Sequence, residues 1–296
     1  MKKRYSRMTR GDRTLDLFGY VLLTLIVLLC AYPIYFVIIA SFSGPQYVNS
    51  GEMLLYPKGF TLGGYKYVFQ EKRIWIGYGN TMIYMVCGTL LGVIVNLMAG
   101  YSLSRKDLPG RGFIMAAFVV TMYFSGGMIP TFLQIKKLGL LDTRLVLIIL
   151  GSVSVYNIIL IRTYFSSNLA DELRESAFID GCTNTRFFFQ FAVPLSKAII
   201  AVIALYTCVG YWNSYFNAQL YIVDQSKYPL QMFLRIILMM EVDVKDANAE
   251  VASEMGRIVQ IIKYSVIVVS TLPIMCLYPF LQKYFVQGVM IGSLKG

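Results

Sequence analysis

Residues 15–42 read LDLFGYVLLTLIVLLCAYPIYFVIIASF, from Leu15 to Phe42. One acid, Asp16, stands at the start, and after it no charge interrupts the run. About 20 apolar residues suffice to cross the hydrocarbon of a bilayer. This block alone therefore argues for a membrane protein, and the rest of the chain agrees. The 296 residues are 57% hydrophobic and only 15% charged, whereas a soluble domain is about half apolar and about a quarter charged.

Five further apolar blocks follow: Ile76 to Leu103, Gly112 to Leu133, Arg144 to Tyr164, Ala198 to Val223, and Ile258 to Phe285. Pro33, Pro273 and Pro279 lie inside blocks, where neighbouring helices tolerate the kinks they suggest. The expectation is an all-α integral membrane protein with six transmembrane helices. The basic start, Lys2, Lys3 and Arg4 with Arg7, Arg10 and Arg13, resembles a signal peptide. The first apolar run is too long for one and lacks a small-x-small cleavage site, so it reads as a retained helix.

That basic cluster places the N-terminus inside, and an even number of spans returns the C-terminus to the same side. Residues 1–14 are then a cytoplasmic segment and 15–42 the first helix. Residues 43–75 form an extracytoplasmic loop, 76–285 a five-helix domain, and 286–296 a cytoplasmic tail. Arg105, Lys106 and Arg111 support this orientation. Lys58, Lys66, Lys72, Arg73, Lys136 and Lys137 count against it, yet the first segment usually dominates.

The net charge of +11 fits a basic cytoplasmic edge beside anionic lipid, and no nucleic-acid binding is expected. The five cysteines contain no CxxC pair and read as small core residues rather than disulfides or ligands. There is no histidine, which removes most zinc sites and Ser/His nucleophile systems. No metal and no catalytic residue is expected.

The inner loop, 165–197, is long and patterned. Leu169, Leu173 and Ala177 recur at spacing four, while Glu172, Glu175 and Asp180 occupy other faces. Gly181 breaks this helix. Phe187, Phe188, Phe189 and Phe191 give a second short helix more aromatic surface than a solvated loop needs, and Pro194 is expected to stop it before the fifth span. A helix that merely lies on the membrane is disfavoured because its leading stretch is acidic and the inner leaflet is negative. Docking on a cytoplasmic partner fits better.

Glu175-Ser176-Ala177, Gly181 and Pro194-Leu195 resemble the EAA loop of ATP-binding-cassette importer permeases, with Ser176 in place of the middle alanine. Ala177-Phe-Ile-Asp180-Gly181, Asn80-Thr81, Ala99 to Arg105, Tyr211-Trp-Asn213 and the ending from Tyr278 to Gly296 are similar to the carbohydrate-uptake branch, in particular its MalG-like permeases for oligosaccharides and polysaccharide fragments. The resemblance covers nearly the whole chain. It implies the type I importer (MetI-like) transmembrane fold with a cytoplasmic coupling helix. Glu175, Ser176, Ala177, Asp180, Gly181 and Pro194 would belong to the element seated in an ATPase cleft. Gln287, Gly288 and Gly292 would reach the interface of two ATPase subunits. A second homologous permease and an extracytoplasmic sugar-binding protein complete the implied partners.

The chain has no G-x-x-x-x-G-K-[ST] loop, so ATP and Mg are expected on the partner ATPase and no cofactor on this chain. Span centres carry almost no charge, which argues against the alternative of an ion-coupled secondary transporter. They carry Asn80, Tyr84, Asn96, Tyr101, Tyr123, Asn157, Tyr206, Trp212, Asn213, Tyr215 and Asn217, groups that suit sugar hydroxyls and C–H faces. Asn80, Tyr123, Trp212, Asn213 and Tyr215 are the candidates for the path, with interhelical bonding as the competing role of each. The loop from Asp224 to Arg257 reads as a solvated outer face.

Overall fold

The computed structural model describes residues 10–245, 259 and 262–276, and among these all regular structure is helical. Two compact units emerge. One falls within Met1–Gln70 and Ile237–Val269, the other within Glu71–Ile236 and Ser270–Gly296.

In the first unit, α1 (Arg10–Ser41) is one helix through Pro33. Its apolar side chains from Leu15 to Leu29 are nearly all exposed, the expected state of a helix whose solvent is lipid. Only its end is packed: Ile39 and Ala40 join Met53, with Phe36, Val48 and Tyr264 around them. The following loop carries α2 (Pro45–Asn49) and α3 (Gly63–Gln70). Backbone bonds Gly44 N–H to Lys58 O (3.0 Å) and Thr61 N–H to Phe42 O (3.0 Å) fold it back on itself.

The second unit is organised by α4 (Lys72–Ser104), whose start is capped by the Glu71 carboxylate accepting from Arg73 N–H. Gly88, Gly92, Asn96 and Gly100 recur at spacing four, so they form one stripe of the helix. A Cβ at Gly100 would stand 2.5 Å from Ile161 Cγ2, and one at Gly92 2.8 Å from Ser152 O. The stripe thus lets neighbouring backbones approach as small residues do between membrane helices. Asn96, fully buried, closes the contact: Nδ2 donates to Gly92 O (2.6 Å) and Ser152 O (2.7 Å), and Oδ1 accepts from Ser154 N–H (3.0 Å).

Three expected spans are broken. The block from Gly112 to Leu133 is α5 (Arg111–Tyr123) and α6 (Met128–Lys137), turned by 112°. Two successive glycines, Gly126 and Gly127, the latter at φ +88°, allow that reversal. The block from Arg144 to Tyr164 is α7 (Arg144–Leu150) and α8 (Val155–Asn168), bent by 46°. Ser154 Oγ caps α8 by accepting from Asn157 N–H. After α9 (Asp171–Ile179) and α10 (Asn184–Leu195), α11 (Lys197–Trp212) departs at 80° to α10. It ends at Trp212 rather than Val223, and a separate α12 (Phe216–Tyr221) follows.

By length and composition, two unbroken helices and three bent pairs qualify as membrane spans among the described residues. The sixth block is described only as α14 (Ile262–Cys276), which contains Pro273. Pro279 and the tail with Gln287, Gly288 and Gly292 lie outside the described residues. The loop from Asp224 is not simply solvated, because α13 (Leu230–Lys245) starts inside it with Leu230, Met232 and Phe233 buried. The cysteines correct another expectation: Cys30, Cys87 and Cys276 are exposed, Cys182 and Cys208 half-buried, all as free thiols. The helix faces carrying the first three point away from the packed interior.

Candidate functional site

Four elements build the segment between α8 and α11. Leu169 ends α8 and Ala170 starts α9, with Asp171 and Glu172 in the first turn, where carboxylates complement the helix dipole. At the other end, Cys182 N–H bonds Ala177 O (2.9 Å) and Gly181 N–H bonds Phe178 O (3.0 Å). These are the 6→1 and 5→2 bonds of a Schellman motif, with Gly181 at φ +78° in the left-handed position. Its surroundings are open, so glycine is required there by the backbone rather than by a neighbour. Thr183 Oγ1 then accepts from Arg186 N–H and starts α10, whose middle, Phe188–Ala192, widens into a π-helix.

The segment is anchored from within. Ala177, Phe187, Phe188 and Ala192 join Leu97 and Tyr101 of α4, Ile161 and Phe165 of α8, and Ile199 and Ile203 of α11 in one core. Tyr101 stacks edge-on to Phe165 at 5.3 Å and lies 5.0 Å from Phe188. Phe187 meets Phe178 at 6.2 Å and Phe191 at 5.4 Å. The four phenylalanines therefore divide: Phe187 and Phe188 are buried, Phe191 half-buried, Phe189 exposed. The spacing-four stripe divides too, since Ala177 is buried while Leu173 is exposed. Pro194 does not end the second helix; Leu195 is still helical and the break falls at Ser196.

What faces outward is a compact acidic knob. Glu172, Leu173, Glu175, Ser176, Ile179, Asp180 and Gly181 are exposed, with Ile179 at 87%. Behind it, Asp107 takes the Arg105 Nε (2.9 Å) and Arg174 Nη1 (3.1 Å), and Lys106 pairs Asp171 (2.7 Å). Hydrogen bonding from Arg105 holds the Asp107 carboxyl far below the usual range, and Lys106 lowers Asp171 in the same way. Arg105 and Arg174 also stand over the Phe178 ring at 5.7 and 5.8 Å. The knob is thus pinned to the 105–111 loop by charge and to the helices by aromatic packing.

The path candidates are not brought together. Asn80 is buried, donating Nδ2 to Ser226 O (2.7 Å) and Tyr228 O (3.0 Å) and accepting from Arg144 (3.1 Å). Trp212, 2% exposed, donates Nε1 to Ser270 O (3.0 Å). Asn213 bonds Val209 O of its own helix. Tyr215 lies under the Arg235 guanidinium at 4.8 Å, and Tyr123 is 76% exposed. A cavity of about 500 Å³ instead opens beside the α7–α8 break, with Tyr156, Asn157, Tyr206, Ser214 and Asn217 in its wall and, among the described residues, no Asp, Glu, Lys or Arg. Asn157, Tyr206 and Asn217 belong to the wider polar set; Tyr156 and Ser214 carry no sequence signal that separates them from ordinary helix residues.

No family model matches the chain. It is 40% identical over 285 residues to the polygalacturonan/rhamnogalacturonan transport system permease protein YtcP of Bacillus subtilis (strain 168), covering 96% of this chain and 99% of that one. It is 38% identical to Protein LplC of the same organism, over 97% of both. Its fold matches a crystal structure of a bacterial ABC transporter involved in the import of the acidic polysaccharide alginate, with a TM-score of 0.84 and 32% identity over 94% of this chain and 99% of that one. A permease-like fold, a packed segment between α8 and α11 ending in an exposed acidic knob, and this identity along nearly the full length agree: the chain belongs to the permease subunits of ABC carbohydrate importers.

Proposed function

We propose that this permease crosses the cytoplasmic membrane six times with both termini inside, and that the segment 165–197 is its coupling element. The observation that carries this reading is the knob itself. An acidic helix with Glu175 and Ile179 exposed, closed by Gly181 and fixed to three long helices by an aromatic core, transmits force without deforming. Glu175, Ser176 and Asp180 present groups for a cleft of an ATPase subunit, with Glu175 paired to a basic group there. Pro194, exposed in the last turn of α10, shapes the approach to α11. ATP and Mg are held by two such ATPase subunits, and Gln287, Gly288 and Gly292 reach toward their interface. Closure of the ATPases pulls the knob, and this chain rocks with a second homologous permease between inward-open and outward-open states. An extracytoplasmic binding protein delivers the sugar.

The substrate is an oligosaccharide released from an acidic polysaccharide. Two similar proteins, named for polygalacturonan/rhamnogalacturonan and for alginate, support this class. Uptake by cells carrying the system tests it. A labelled oligogalacturonate enters, unlabelled acidic oligomers compete, and neutral malto-oligosaccharides do not. Competition by the neutral oligomer alone refutes the acidic substrate.

A further inference from the structure

Behind the coupling segment lies a pocket of about 220 Å³ that no step above uses. At about 30 Å³ per liquid water it has room for roughly seven waters. Five cations line it: Arg105, Lys106, Arg111, Arg162 and Arg174. They come from four places in the chain: the loop after α4, the start of α5, α8 and α9. Two carboxylates answer them. Asp107 is shared by Arg105 and Arg174, and Asp171 is taken by Lys106. Arg111 bonds Arg105 O (3.2 Å) and Arg162 bonds Leu103 O (3.3 Å), so each meets a carbonyl and, among the described residues, no acid. Five minus two leaves a surplus of three positive charges around one cavity. Arg174 Nε is buried with no hydrogen-bond partner among the described residues. An unpaired buried donor is costly, and a surplus of guanidinium forks is the arrangement that takes phosphate oxygens.

We propose that this pocket binds a phosphate group, from the headgroup of an anionic phospholipid or from free phosphate, and thereby braces α9 against α5 and α8. Its place on the cytoplasmic face rests on the orientation proposed above; its charge surplus does not. The phosphate oxygens give Arg174 Nε a partner and offset part of the surplus charge of Arg111 and Arg162, tying α9 to α5 and α8. A lipid phosphodiester enters from the inner leaflet, where anionic lipids concentrate.

The assembled transporter is purified in discs of phosphatidylcholine alone, of phosphatidylcholine with phosphatidylglycerol, and of phosphatidylcholine with inorganic phosphate in the buffer. Native mass spectrometry counts retained phosphatidylglycerol, and hydrogen exchange reads the α9 amides. The native chain retains one phosphatidylglycerol per copy through stripping with neutral detergent. The double variant Arg111→Gln/Arg162→Gln, at about 1 kcal/mol per basic residue near a lipid surface, holds it about 30-fold less tightly. Protection of α9 by phosphatidylglycerol but not by inorganic phosphate identifies the lipid as source; protection by both identifies a free-anion site. Equal retention by native and variant chains, with α9 exchange indifferent to lipid and phosphate, overturns the proposal. Cross-links placing an acidic side chain of the ATPase in the pocket overturn it as well. Failure of the ATPase to assemble strikes the coupling reading instead, because lipid retention is read on the permease itself.

Discussion

Tyr211 is wedged between two glycines, and enlarging one of them tests the packing most sharply. A Cβ placed on Gly88 would stand 2.1 Å from Tyr211 Cζ, 2.4 Å from Cε2 and 2.5 Å from Oη. Retreat is blocked on the far side, where a Cβ at Gly151 would already stand 2.8 Å from the same ring. The hydroxyl is held too, donating to Ile148 O. Overpacking costs about 1–3 kcal/mol, and losing the hydroxyl bond adds about 1. The gain of alanine over glycine inside a helix returns about 1, so Gly88→Ala is expected to destabilise by roughly 2 kcal/mol. Gly79, on the same helix, has open space around it, and Gly79→Ala is expected to be neutral or stabilising by up to about 1 kcal/mol. The contacted ring atoms are ones that leucine lacks, so in a Tyr211→Leu background Gly88→Ala should no longer destabilise. Thermal unfolding of the purified complex gives the readout, with a drop of about 4–8 °C expected for Gly88→Ala. An unchanged or raised midpoint for that variant, or an equal drop for Gly79→Ala, would refute the close approach of α4 to α11.

Other expectations follow from single contacts. Asn96→Leu leaves Ser154 N–H and Ser152 O unpaired inside the bundle and should cost about 2–3 kcal/mol, read as lost folded yield and a lower midpoint. Gly181→Ala places a Cβ at φ +78° and should cost about 1–2 kcal/mol locally, seen as faster hydrogen exchange in α9 with the global midpoint little changed. The carboxyls of Asp107 and Asp171 titrate below their unfolded values because Arg105 and Lys106 hold them. The stability they give is full above the unfolded carboxylate range of about 4 and is lost as pH falls through the depressed folded values. Protection of the α9 amides, taken relative to the intrinsic exchange rate at each pH, should therefore be constant from pH 8 to about pH 5 and fall only in stronger acid; a loss of protection between pH 8 and 6 would contradict the pairing.

The two short helices on either side of Gly181 were legible because their signals are local: an acidic leading stretch, a helix-breaking glycine and a dense aromatic run within about two dozen residues. Where the expectations strayed, the deciding contact was distant in sequence. Asn80 answers carbonyls 146 and 148 residues away and Trp212 one 58 away; both tie segments together, and neither lines the cavity. The unbroken spans expected for residues 112–133 and 144–164 failed at Gly126-Gly127 and at Gly151 to Ser154, where hydropathy stays high while the backbone turns. The glycine stripe of α4 was not singled out in the sequence, because its meaning depends on Tyr211, Ile161 and Ser152, which no local pattern brings near. The basic pocket is assembled from four separate stretches and is invisible to any window of sequence.

The coupling role of residues 165–197 is the centre of the account, and ATP turnover tests it most directly. The chain is reconstituted in lipid discs with its partner permease and ATPase, and hydrolysis is measured with and without sugar-loaded binding protein, for the native chain and for Glu175→Lys with Gly181→Asp. The account predicts that loaded binding protein raises turnover in the native complex and that the double variant loses either the ATPase or the stimulation. A double variant that assembles and responds like the native complex would contradict it.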